Sequence, residues 1–346
     1  MKSTALLRKE VEVARDNLPA VIGLLVLLPA AFAGSTLVFE DVLPRDSPVA
    51  VVSDDHDAST EQLEAVADVL APFADATVHE GDWRRALERE EVYLAIQVPG
   101  DLEDGEVVVH HHGAVVPFDE PSELLVSSLD GLSRLDVTLS ASRETHGATI
   151  ELGEYLLPVL LTLLALVVGL VHVPGELRRE RRGIDRLALD VPVHRVALAK
   201  IGFYALALAL PVLVFHGVST SLGYSVDLLS PPALAFLLVT YVYAAALGSA
   251  VMFAVRLSPT GRLVNAGLLF AVVVLSNPVY PLGFFSSLRR EIAWYTPTYH
   301  SALGVRSHAT KDVDIHLFAD RLALLTAFAV VSLALLYLAS RRYERR

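Results

Sequence analysis

Cysteine is absent from all 346 residues. That excludes disulfide scaffolds, cysteine-ligated zinc and thiol catalysis. Lysine is scarce: Lys2, Lys9, Lys200 and Lys311 are the only lysines among 28 basic residues. There is no G-x-x-x-x-G-K-[ST] loop to cradle phosphate, and no H-E-x-x-H, G-x-S-x-G or G-x-G-x-x-G. The net charge of −12 argues against nucleic acid as a partner.

Apolar residues are abundant. Hydrophobic residues make up 53% of the chain and the mean hydropathy is +0.49, an excess that suits lipid rather than water. A helical span of the hydrocarbon core needs about 20 apolar residues. Six runs approach that length, at 18–38, 151–172, 199–219, 231–255, 263–283 and 321–340. The fold class expected is a membrane all-α protein with six transmembrane helices and an inserted extracytoplasmic α/β domain. With both termini in the cytoplasm of a multi-pass cell-membrane protein, 17 basic residues flank the inner ends and 5 lie in the short outer loops. That asymmetry follows the positive-inside rule. Ala31-Phe32-Ala33 resembles a signal-peptidase site, but Glu10, Glu12 and Asp16 precede it, so the first run is read as an uncleaved anchor. Residues 1–17 suit a cytoplasmic interfacial helix, with Leu7, Val11, Ala14 and Leu18 on one face.

Residues 39–150 are a different material, with 25 acidic and 6 basic side chains. An acid-rich, lysine-poor exterior suits a halophile. Within this block Pro48–Ser53, Ala76–His79, Val92–Val98 and Glu106–His111 read as strands. Ser59 caps a helix over 60–71 with Gln62 at its third position, and Asp82 caps a second helix through Arg89. The order predicts a small α/β domain. Residues 120–146 read as a helical stalk leading back to the membrane. His110-His111-His112 is expected to be a solvated strand end. Consecutive strand side chains point to opposite faces, so the three do not converge on one metal ion, and no metal site is expected.

The segment 173–198 reads as a cytoplasmic loop of the sequence Glu176-Leu177-Arg178-Arg179-Glu180-Arg181-Arg182-Gly183-Ile184-Asp185-Arg186-Leu187-Ala188-Leu189-Asp190-Val191-Pro192-Val193-His194-Arg195. A charged helix stopped by Pro192 suits a lever for a partner protein, or equally a solvated juxtamembrane helix touching anionic lipid. It resembles the second-to-third-span loop of the permease subunits of ABC-2 type transporters, E-R-E-x-G-T-x-E-x-L-L-x-x-P followed by a basic residue and a later lysine. Glu180, Gly183, Pro192 and Arg195 match; Ile184 stands where the family has threonine and Arg186 where glutamate is common. The resemblance extends to the outside block, in Val49-Ala50-Val51-Val52-Ser53-Asp54-Asp55 and Leu94-Ala95-Ile96-Gln97-Val98-Pro99-Gly100-Asp101-Leu102. It also covers the loop at 284–320, where Tyr295-Thr296-Pro297-Thr298-Tyr299-His300 followed by Arg306 is similar to the family's outer re-entrant segment.

The resemblance implies the six-span subgroup with a large extracytoplasmic domain, of haloarchaeal type. It implies a transport subunit with no cofactor of its own, forming a pathway as a homodimer or heterodimer. A separate ABC ATP-binding subunit would hold ATP and magnesium. Glu176, Glu180, Arg182, Gly183, Leu187, Pro192 and Arg195 would then couple to that ATPase, and Pro297, Tyr299 and Arg306 would belong to the re-entrant loop. Charge reversal at Glu180 or Arg182 is expected to uncouple ATP hydrolysis from transport without unfolding the chain. The competing reading is a membrane-anchored binding or sensing protein with an α/β ligand domain. The lack of paired catalytic groups in mid-span argues against an intramembrane enzyme. The lack of intramembrane charge favours a hydrophobic or amphipathic cargo over a bare ion.

Overall fold

The computed structural model describes residues 2–16, 22, 26, 47–53, 58–71, 74–100, 106–132, 140–276, 278–284, 287–311 and 313–345. The expected first span at 18–38, with Ala31-Phe32-Ala33, lies outside the described residues except for Ile22 and Val26. So does Asn277.

The chain opens with helix α1 (Lys2–Asp16). A five-stranded sheet follows, made of β1 (Ser47–Ser53), β2 (Ala74–Val78), β3 (Leu94–Val98), β4 (Glu106–His112) and β5 (Ser140–His146). The strand order is β2-β1-β3-β4-β5, antiparallel between β3 and β4 and parallel at the other pairings. Helices α2 (Thr60–Leu70) and α3 (Trp83–Glu88) start where expected. Ser59 and Gln62 form a reciprocal capping box, and Asp82 accepts from the backbone N–H of Arg85.

Alternation along β1 explains why its side chains are apolar on both faces. Val49 and Val51 pack with Leu63, Ala67 and Leu70 of α2, whereas Ala50 and Val52 pack with Ala86, Leu87 and Trp83 of α3. A strand covered on both sides reads as a continuous apolar run.

The expected stalk over 120–146 needs correction. Helix α4 (Asp119–Leu132) occupies its first half, but residues 140–146 are strand β5. β5 lies parallel to β4, and parallel neighbours need a crossover connection, which α4 supplies. Ser140–His146 has no aliphatic residue beyond Ala141, so it carries no hydrophobic strand signal.

Five helices are long and apolar enough to cross a membrane among the described residues: α5 (Leu152–Arg179), α7 (Val193–Ser221), α8 (Pro231–Ala254), α9 (Pro259–Ser276) and Ile315–Glu344, whose regular part is α12 (Ala319–Glu344). Short helix α6 (Arg181–Leu187) joins α5 to α7, and α10 (Ser287–Trp294) and α11 (Pro297–Thr310) lie between α9 and α12. α5 runs seven residues past the expected end at 172, and α9 stops at Ser276, before Pro278 and Pro281.

Helix α8 is the centre of the bundle, with buried small residues from Ala244 to Ala250. Gly169 lies in a π turn of α5, and a Cβ there would meet the Ala244 Cβ at 2.7 Å and the Ala245 nitrogen at 2.9 Å. A Cβ on Gly248 would sit 3.0 Å from the Leu170 carbonyl oxygen. Small residues thus let two backbones approach, the packing that holds helices together where lipid removes the hydrophobic drive between them. The Asn265 amide of α9 donates to the Gly248 carbonyl at 3.0 Å and adds a polar tie.

Candidate functional site: charged clasps at both ends of the bundle

The sheet sits at one end of the bundle, and α1, α6 and the C-terminal end of α12 sit at the other. Each end carries a buried ionic cluster.

At the terminal end, Lys200 of α7 is fully buried, and its Nζ lies 2.5 Å from Glu10 Oε2 and 2.9 Å from Glu180 Oε1. Lys9 also pairs with Glu180 and lies 3.5 Å from Glu10. Two carboxylates and two ammonium groups therefore neutralise each other, which a buried charge requires. Burial would raise the Glu180 pKa, but Lys200 and Lys9 outweigh it and hold that carboxyl below its ordinary value. In α1 the face toward the bundle carries half-buried Leu6 and buried Glu10, whereas Val11 is exposed.

This cluster supports the α6 segment from beneath. Ile184 is fully buried in the main core. Arg181, Arg182, Gly183, Asp185, Arg186 and Asp190 are exposed around it, and Leu189 is 87% exposed. Space around Gly183 is open. Tyr343 of α12 donates to Asp185 Oδ1 at 2.5 Å, and Glu344 accepts from the backbone N–H of Val193. The seven residues marked out for coupling therefore divide. Arg182, Gly183 and Arg195 are exposed; Leu187 and Pro192 are half-buried, Pro192 as the residue preceding α7. Glu176 is buried, with Arg179 Nη1 at 2.5 Å. Glu180 belongs to the internal cluster, so it is a structural ion rather than a free surface group.

At the sheet end the node is Glu90, which is 3% exposed and adopts φ 55° just before β3. Its carboxylate pairs with Arg306 of α11 and, at 2.9 Å, with Lys311 Nζ. Burial would raise its pKa, but Arg306 and Lys311 pull it down to about 2. Around it, Arg89 pairs with Asp320 at 2.8 Å and donates to the Leu317 carbonyl at 2.5 Å, while Arg321 donates to the Arg89 carbonyl at 3.2 Å. Tyr93 accepts from the Leu282 backbone N–H at 2.9 Å, and Ser47 donates to the Gly283 carbonyl at 2.9 Å. The sheet is thus fastened to α11 and α12.

The marked loop residues all come together on α11. Pro297 opens the helix, and Tyr299 and Arg306 are buried along it, with the Arg306 guanidinium 4.6 Å above the Tyr155 ring of α5.

Glu10, Glu90 and Lys311 carry no signal as a pattern, because their partners are distant in sequence. One clue was available. Lysine is rare here, and three of the four lysines, Lys9, Lys200 and Lys311, lie in these two clusters.

The expectation for the histidine run also needs correction. His110, His111 and His112 are buried rather than solvated, because β5 covers the edge of β4. His111 does point away from its neighbours and meets Asp119 at 3.0 Å. His110 instead faces β5, where its Nδ1 lies 3.0 Å from His146 Nε2. That partner sat in the segment read as helix.

Several apolar helices of spanning length, a docked α/β sheet and charged clasps at both ends define a multi-pass membrane protein. The chain belongs to the ABC-2 family transporter proteins, whose family model matches residues 18–338. It is thus a membrane permease of the ABC transporter class. A search of curated proteins finds no match.

Proposed function

We infer that this permease is the membrane half of an ATP-driven exporter of the six-span, large-ectodomain subgroup, with the terminal end of the bundle in the cytoplasm. The excess of basic residues at that end supports this orientation. Two permease subunits would flank the pathway, and two ABC ATP-binding subunits would dock on α6. Those subunits, not this chain, would bind ATP and magnesium. The acid-rich, lysine-poor composition suits a cell living in high salt.

The observation that carries the reading is the shape of α6. Ile184 anchors it in the core while Arg182 and Gly183, and Leu189 in the turn just past its end, face outward. An exposed leucine among arginines suits a partner groove that is apolar at its centre and acidic at its rim. Pushing α6 would act on α5 and α7 together, since Glu180, between α5 and α6, pairs with Lys200 of α7. Such a push biases two arrangements of the bundle by differential contact.

The test is the double variant R182E/L189D, reconstituted in vesicles with the ATP-binding subunit. Loss of subunit association, or of substrate-stimulated ATP hydrolysis, is expected while the chain stays folded. Unaltered association and coupling would overturn the reading and favour a membrane-anchored sensing protein instead.

A further inference from the structure

The geometry points to a divalent transition-metal site of the zinc type in the α/β domain, with His110 Nδ1, His146 Nε2 and the Glu144 carboxylate as its ligands. The ligand atoms of these three lie within 4.8 Å of one another. His110 Nδ1 is 3.0 Å from His146 Nε2 and 3.3 Å from Glu144 Oε2. Zinc–nitrogen bonds of roughly 2.0–2.1 Å in a tetrahedron set ligand atoms about 3.3 Å apart. The two spacings from His110 therefore need to open by at most a few tenths of an ångström, and the third pair already lies within 4.8 Å.

Sheet register builds the triad. Glu144 and His146 are two apart on β5 and share a face, and His110 lies directly opposite Glu144 on β4. This joins residues 34 and 36 positions apart in sequence, which the run of three histidines did not suggest. The orientation of the key ligand is fixed from behind. His110 Nε2 lies 2.7 Å from Gln97 Oε1, and in the tautomer that donates to that oxygen the Nδ1 lone pair faces His146 and Glu144. A second ring nitrogen held by an oxygen acceptor is the usual support of a metal-bound histidine. Trp83 walls the site, its ring 4.4 Å from that of His110 and 5.4 Å from that of His146.

Two imidazoles and one carboxylate suit zinc and its neighbours rather than calcium or magnesium, which take oxygen ligands. Three protein ligands leave a fourth position for water or another donor. A bound ion would pin β5 to β4. β5 leads through Gly147 to α5, so the metal would brace the connection between the sheet and that spanning helix.

The site is tested with the full chain, tag-free, in detergent micelles, using Zn2+ alone against a chromophoric chelator. One Zn2+ per chain is expected. H146A and the exposed-side variant E144A should each weaken binding by about 10-fold or more, whereas H79A should bind as the parent does. In a W294F background, where Trp83 is the only tryptophan, Co2+ should quench its emission and E144A should relieve the quenching. Absence of Zn2+ binding by the parent, equal binding by parent, H146A and E144A, or Trp83 emission unmoved by Co2+ would each overturn the proposal. Because E144A changes a side chain that is 59% exposed, it keeps the test valid even where H146A fails to fold.

Discussion

Lys200 Nζ and Glu180 Oε1 are 2.9 Å apart across 20 residues of sequence, and Glu10 closes on the same ammonium from 190 residues away. One buried cation thus ties α1, the start of α6 and α7 into a single unit.

Replacing Lys200 by methionine would leave buried Glu10 and half-buried Glu180 with Lys9 as the one cation remaining in the cluster. Losing one partner of a buried ion pair costs roughly 3–5 kcal/mol. K200M is therefore expected to melt well below the parent in detergent, and K200M/E10Q to recover part of the loss. Equal melting of K200M and parent would show that the pair contributes nothing.

The cluster also separates two charge reversals that the linear sequence treats alike. E180K would bring three ammonium groups together and should destabilise the chain, whereas R182E alters an exposed side chain and should leave the melting temperature within about 0.5 kcal/mol equivalent of the parent. Circular dichroism melts decide this. Only R182E is then a clean probe of coupling.

Glu90 predicts an acid-labile joint between sheet and bundle. Its folded pKa of about 2 lies below the ordinary 4.5. The carboxylate form is the one the fold holds, so its contribution is full above about pH 4.5 and is lost as pH falls through about 2. E90Q should lower stability at pH 7 and flatten the loss of stability between pH 5 and pH 2.5. Protease sensitivity of the segments joining sheet and bundle, measured across that range, is the readout. Parallel acid profiles for E90Q and parent would contradict the assignment.

Glycine substitutions should split by location. G169A forces a Cβ against the α8 backbone and is expected to cost about 1–3 kcal/mol, as overpacking does. G202A and G267A meet open space in regular helix and should be neutral or stabilising by up to about 1 kcal/mol. Thermal melts of the three variants check the contrast.

Most of the secondary structure was legible because its signals are local. The β1 run, the Ser59–Gln62 box and the Asp82 cap each lie within a few residues, and five of the expected spans coincide with long apolar helices. Ser140–His146 was misread because a polar edge strand has no hydrophobic period of its own. Its identity comes from the backbone of β4 beside it.

What the chain determined by itself was the length of its apolar runs, the basic bias of one set of loops and the capping of individual helices, all set by neighbours in sequence. Tertiary structure alone decided that Glu180 faces inward, that Glu90 is a buried node and that His110 meets His146. Those outcomes depend on charges and ring nitrogens from distant segments neutralising or completing one another once the helices and strands have packed.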